Sequence, residues 1–232
     1  MVDNIWTEFA RSYDVICSQL NCYQRMVAKV LRDTEGRRYV IDAGCGTGLV
    51  SQPLVERGHT VVGFDNNLAM LGLAMVRQAG MPEEARRWWK VLEGDVRSFP
   101  PGVPGEADAV VLNNVLFYVR EPELVLRQCF EHLKPGGVVI ATGPRQRPDL
   151  HKVMVRSIEE WKAEGRWDEA LRAAAAYHVD VTRRLVTDPT EMVTFFEPDV
   201  LVDTLRRLGF SRVLAADSED YYGENFYVCV AR

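Results

Sequence analysis

The chain has 232 residues, 47% of them hydrophobic and 26% charged, with a net charge of −5 and a pI near 5.5. This is enough apolar material for a substantial core, and the acidic balance gives no bulk attraction to nucleic acid or to an anionic membrane. Five scattered cysteines (Cys17, Cys22, Cys45, Cys129 and Cys229) form no CxxC pair and no cysteine–histidine ligand spacing. They argue against a disulfide framework or a zinc site and for a reducing compartment.

The N-terminal MVDNIWTEFARSYD carries early acids and no long apolar segment, so it does not read as a signal peptide. No run approaches the roughly 18 apolar residues of a membrane span, and a cytoplasmic location is the default expectation. From Arg38 to Thr142 strand-like and helix-like patterns alternate. YVIDA is a short β-branched run, and GLVSQPLVERG is an amphipathic stretch that Gly58 can stop. HTVVGFD reads as a second strand. Asn67 is a natural N-cap for LAMLGLAMVRQ, whose Leu68, Leu71, Met75 and Gln78 follow helical spacing. KVLEGD, led in by Trp88 and Trp89, makes a third strand and ADAVVLNNVLF a fourth. EPELVLRQCFEHLK has proline in its first turn and PGG after its end, and GVVIAT makes a fifth strand.

Strands apolar on both faces, alternating with helices, predict a parallel sheet covered on both sides. Such a sheet binds its ligand outside the carboxyl ends of its strands. After Pro144 the rhythm changes. DLHKVMVRSIEEWKAEG places Leu150, Val153, Met154, Ile158 and Trp161 on one face, and WDEALRAAAAYHVDVTRRL is a second amphipathic stretch without a strand between them. Residues 149–190 therefore read as a helical insertion in one α/β domain spanning 1–232. EPDVLVDTLRRLGF is a further helix, and RVLAAD and NFYVCVAR close the chain as a hairpin.

VIDAGCGTGLVSQPLVERG, from Val40 to Gly58, constrains the chain most. A dinucleotide fingerprint requires G-x-G-x-x-G. Counted from Gly44 and Gly46 the third glycine falls on Leu49; counted from Gly46 and Gly48 it falls on Ser51. The glycine that permits close helix–strand packing is absent. The spacing present is D-x-G-x-G-x-G: Asp42, Gly44, Gly46, Gly48. Asp65 then ends the second strand, Asp95 follows the third in EGDV, LNNVLFYV follows the fourth, and FEHLKPGGVVIATGP runs into the fifth. In this order the motifs resemble the class I S-adenosylmethionine-dependent methyltransferases of the small-molecule type, from Val40 to Arg232 apart from the insertion. The resemblance implies a Rossmann-like, seven-stranded, mostly parallel sheet with helices on both faces, a C-terminal antiparallel hairpin and a helical cap insertion.

It also implies S-adenosylmethionine as cofactor and S-adenosylhomocysteine as product. Gly44, Gly46 and Gly48 would let the chain pass close under the methionine part, and Asp42 would accept from its ammonium group. Asp65 would take the ribose hydroxyls, and Asp95 the adenine amino group with the Val96 amide on a ring nitrogen. Asn66 and Met70 would flank the adenine, and Asn113 would face the methionine end. Residues 1–36 would form a helical lid containing FARSYD, where Tyr13 either closes over the cofactor or packs a helix on the core. The core would be 37–148, the acceptor cap 149–190, and 191–232 would return to the core.

Asn113 and Asn114 stand where the family often has an acid, histidine or hydroxyl residue, which removes an obvious general base. His151 and His178, both in the insertion, are then the groups that could deprotonate an acceptor near neutral pH, although a lone helical histidine is more often a polar-face residue. Tyr13, His151 and His178 are the catalytic candidates, and no metal is expected. The reading is methyl transfer to a small-molecule nucleophile (an amine, a phenol or other hydroxyl, or an activated carbon) mainly by proximity and orientation. The rivals are a cofactor-binding regulatory or assembly module and an NAD-dependent oxidoreductase. The expected partner is the small acceptor, with no nucleic acid or membrane, and homodimerisation is left open.

Overall fold

Neighbouring strand residues such as Val40 and Ile41, Val110 and Val111, or Val139 and Ile140 point to opposite faces. Because both members of each pair are apolar, both faces of the sheet must be covered. The computed structural model describes residues 4–187 and 194–232 and shows this arrangement. Its strands are β1 (Tyr39–Ala43), β2 (Thr60–Asp65), β3 (Trp89–Glu93), β4 (Ala107–Asn113), β5 (Leu133–Pro144), β6 (Arg212–Glu219) and β7 (Asn225–Ala231). Among the described residues they form one sheet in the order β3-β2-β1-β4-β5-β7-β6. The pairs from β3 to β5 are parallel, with Asp42 beside Gly63 and Val40 beside Ala109. β7 runs antiparallel to both β5 and β6.

The helices are α1 (Asn4–Cys17), α2 (Asn21–Asp33), α3 (Ser51–Glu56), α4 (Leu68–Ala79), α5 (Glu83–Arg86), α6 (Pro122–His132), α7 (Leu150–Ala163), α8 (Glu169–Thr187), α9 (Pro198–Arg207) and the single turn α10 (Asp220–Gly223). One sheet face packs Val40, Val111 and Ile140 with Ile16, Met26, Val30, Leu54 and Trp161. The other packs Ile41, Val110 and Val139 with Leu126, Cys129, Leu201 and Leu205. All five cysteines are buried and unpaired. No helix among the described residues is long and apolar enough to cross a membrane.

Local chemistry sets several boundaries. Asn67 caps α4, its side-chain oxygen accepting from the amides of Ala69 and Met70 at 3.0 and 3.1 Å. Proline opens α6 and α9, where its missing N–H costs nothing. Two expectations need correction. α4 buries Met70, Leu71 and Ala74 and leaves Leu68 and Met75 exposed. It is apolar nearly all round, so periodicity alone does not choose its inward face. β5 begins at Leu133 rather than Gly137, taking in the LKPGG segment, because Leu133 already pairs with Ala107.

α7 and α8 follow β5 with no strand between them. α7 turns Val153, Ser157 and Trp161 inward, with Met154 and Ile158 partly buried beside them. Trp161 stacks on Trp167 and donates to the Gln19 carbonyl at 2.8 Å, so both tryptophans pack helices. The expected end of the insertion at 190 and the first residues of the C-terminal segment lie outside the described residues.

Candidate active site

The turn that follows β1 must reverse direction against β2. Gly44 and Gly46 lie in the left-handed region, at φ +74° and +53°, where side chains other than glycine are strained. The amides of Gly44 and Cys45 both donate to the Phe64 carbonyl, at 2.8 and 2.9 Å. A Cβ at Gly44 would sit 2.5 Å from Val115. The turn opens on a cavity of about 910 Å³ that gathers the carboxyl ends of β1, β2 and β4 together with side chains of α1, α7 and α8.

Asp42, Gly44, Gly46, Asp65, Asn66, Met70, Asp95, Val96 and Asn113 all line this cavity, as do Tyr13 and His178. Gly48 does not: a Cβ there would meet the Trp89 ring at 2.5 Å. Its missing side chain makes room for core packing rather than for a ligand. His151 is also off the wall. On α7 the cavity-lining residues are Leu150, Val153 and Met154, and the intervening position turns His151 out to solvent.

Asp42 is buried, and one oxygen accepts a 2.5 Å hydrogen bond from the Ser51 hydroxyl. Its other oxygen, Oδ1, is buried without a partner. Burial pushes the carboxyl up to about 7; the Ser51 hydrogen bond opposes this and the neighbouring Asp65 adds to it. Asp65 ties the site together, accepting from the Gly46 amide at 2.9 Å and the Asn67 amide at 2.8 Å. Burial raises its carboxyl also, against those amides. Asp95 is held below the usual carboxylate range by Arg97, whose guanidinium reaches it at 2.6 Å. Any ligand amino group here shares Asp95 with Arg97.

Asn113 is committed within the protein, donating to the Tyr23 hydroxyl at 3.1 Å and accepting from Thr142 at 2.7 Å. The Tyr13 hydroxyl donates to that of Tyr23 at 3.4 Å. Burial first, then neighbouring Tyr23 and Cys17, push the Tyr13 phenol well up, so it stays protonated. His178 stacks on Phe9, with Nδ1 3.2 Å from the Ser12 hydroxyl and Nε2 3.3 Å from that of Thr182. Ser12 already donates to the Phe9 carbonyl, which places the imidazole proton on Nδ1. Burial lowers the imidazole to about 4, making it a weak base.

Sequence reasoning passed over several wall and support residues. Ser51 was visible only as a hydroxyl residue nine positions after Asp42. Trp6, Tyr23, Tyr221 and Asn225 reach the cavity from α1, α2, the β6–β7 connection and the start of β7, and no local pattern marks them. Arg145, just after β5, pairs with Glu197 at 2.7 Å.

Residues 41–141 match the family described as a methyltransferase domain. A ubiquinone biosynthesis O-methyltransferase of Pseudomonas fluorescens (strain SBW25) is 32% identical over 114 residues, 48% of this chain and 47% of that protein. The chain thus covers about half the length of the curated relatives it matches. A SAM-dependent methyltransferase from Thermotoga maritima superposes with a TM-score of 0.60 at 16% identity, covering 98% of this chain and 99% of its own. Magnesium protoporphyrin IX methyltransferase from Synechocystis PCC 6803, solved with bound SAH, gives 0.59 at 17% identity, covering 100% and 89%. At these identities the likeness is one of fold. The sheet order, the glycine turn and the matched segment together make the chain similar to the class I S-adenosylmethionine-dependent methyltransferases.

Proposed function

We propose that this protein binds S-adenosylmethionine along the glycine turn and transfers its methyl group to a small-molecule nucleophile. The observation that carries the reading is the Asp42 Oδ1 atom, a buried carboxylate oxygen without a partner in the wall of the cavity. A buried acceptor left unpaired is costly, and an ammonium group is the ligand chemistry that satisfies it. Asp65, Asp95 and Val96 line the same cavity at the ends of the neighbouring strands β2 and β3, which supports a ribose followed by an adenine. When bound, the cofactor supplies an electrophilic methyl group on a sulfonium.

The chain's own contribution is positioning and exclusion of water. Alignment alone can lower a barrier by ~7–11 kcal/mol. Among the described cavity residues, Asn113 is internally hydrogen-bonded, Tyr13 stays protonated and His178 is a weak base. The site therefore suits a nucleophile needing little deprotonation, such as an amine or an acidic phenol; the O-methyltransferase name of the Pseudomonas relative favours oxygen. Helices α1, α7 and α8 are the parts we assign to lid and acceptor cap. The same lack of a base supports the rival reading, a binding-only module, and formation of S-adenosylhomocysteine in a metabolite extract separates the two. Asp65→Ala should weaken S-adenosylhomocysteine binding about tenfold or more by calorimetry, since it removes a charged acceptor. Unchanged affinity would falsify the cofactor assignment.

A further inference from the structure

The connection between β6 and β7 is strained where glycine would relieve it. Tyr221 and Tyr222 are consecutive left-handed residues, at φ 51° and 60°. Asn114, just after β4, is left-handed too, at φ 56°. Bulky side chains hold such conformations only where the surroundings over-determine them, and such positions cluster at ligand sites. Here the clamps come from several elements. Lys29 of α2 reaches Asp220 at 3.1 Å. The Tyr222 hydroxyl donates to Glu160 of α7 at 2.9 Å, with Arg25 over its ring. Lys152 holds Glu224 at 2.8 Å, and Asn225 donates to the Asn114 side chain at 3.1 Å.

The result is that Tyr221 lies in the cavity wall, its hydroxyl facing the Asn114 side chain and its ring packed against the cluster that holds Cys17, Cys22 and Tyr23. Burial, with those neighbours, pushes its phenol well above the usual range, so at neutral pH it offers a hydroxyl and no charge. Besides Asn114, Asn225, His178 and Thr182, the wall away from the glycine turn is largely apolar or aromatic, with Trp6, Phe117, Leu150, Val153 and Met154. The charged wall residues are the three aspartates and Arg97 of the cofactor side, and Arg120 and Glu121, which are exposed.

Resting on the cofactor reading above, we propose that Tyr221 selects the methyl acceptor: held in place by the strained connection, its phenol hydrogen-bonds an uncharged oxygen on a flat, apolar acceptor. Tyr221 is a specificity residue in this role, and the chemistry that it favours is a phenol-like hydroxyl on an aromatic body rather than a carboxylate or phosphate.

The test uses the full chain saturated with S-adenosylhomocysteine and three probes, 2-naphthol, 2-methylnaphthalene and 2-naphthoate, followed by calorimetry. Wild type should bind 2-naphthol about tenfold more tightly than the hydrocarbon or the anion, the size of one hydrogen bond. Tyr221→Phe should erase the preference over the hydrocarbon while leaving S-adenosylhomocysteine affinity and melting temperature unchanged. No 2-naphthol binding, tighter binding of 2-naphthoate, or a preference that survives Tyr221→Phe overturns the proposal. The wild-type comparison stands by itself if the variant misfolds. Failure of S-adenosylhomocysteine to bind at all would sink the cofactor reading instead.

Discussion

At the scale of single residues, Asp42 has the most to gain from a ligand. Burial holds its carboxyl near 7, so the free protein carries it partly protonated at neutral pH, whereas pairing with an ammonium requires the carboxylate. Binding must then release a proton. The affinity for S-adenosylhomocysteine should climb by up to roughly tenfold per pH unit toward pH 7 and level off above it. Calorimetry between pH 5.5 and 8 reads this directly. Asp42→Asn should bind weakly with a flat profile; a flat profile in wild type would show that Asp42 meets no cation. Asp42 was legible beforehand because it stands in a fixed spacing with the glycines. Its hydrogen-bonding partner Ser51 was legible only as a residue type, since a side-chain contact between a strand end and a helix start leaves no periodic trace.

At the scale of elements, α1 is joined to the site through a residue of α4. Arg77 donates to the Thr47 carbonyl at 3.0 Å, to Gln52 of α3 at 2.9 Å and to Asp14 of α1 at 2.5 Å. It is partly shielded from solvent, so these charge-assisted bonds are worth more than an exposed pair. Arg77→Met should raise hydrogen exchange of α1 amides by about tenfold, matching the loss of roughly 1.4 kcal/mol of local stability, while β1 and β4 amides hold steady. A uniform rise across the sheet would mean that Arg77 only adds global stability. None of this was visible in LAMLGLAMVRQ. Apolar residues surround that helix, and only packing against β2, β3 and α1 decides that Met70, Leu71 and Ala74 go inward while Leu68 and Val76, at 67% and 69% exposure, stay out.

For the whole molecule, two buried groups pull stability in opposite directions with pH. Asp42 has its folded value raised from 3.8 to about 7, so its contribution is full below pH 3.8 and is lost as pH rises through 7. His178 has its folded value lowered from 6.5 to about 4, so its contribution is full above pH 6.5 and is lost as pH falls through 4. Each linkage is on the order of 3–4 kcal/mol, and between pH 4 and 6.5 their slopes nearly cancel. The melting temperature of Asp42→Asn minus that of wild type should therefore grow from pH 4 to 7 and then stay level. For His178→Asn the difference should grow as pH falls from 6.5 to 4. Two level difference curves would mean that both groups titrate in the folded chain as they do when unfolded.

The sequence by itself determined the sheet, because strands apolar on both faces can exist only between two helical layers. It also determined one wall of the cavity, because the glycine turn and three acids sit at strand ends that every such sheet brings together. It could not say which histidine faces inward, since one residue of helical rotation separates His151 in solvent from Leu150 in the cavity. Nor could it show Tyr221. A left-handed tyrosine leaves no mark in the sequence and is held only by contacts from α2, α7 and the end of β4, more than 60 residues away in the chain at their nearest. The glycine-turn side of the cavity is written in local spacing, and the opposite side exists only where distant elements meet.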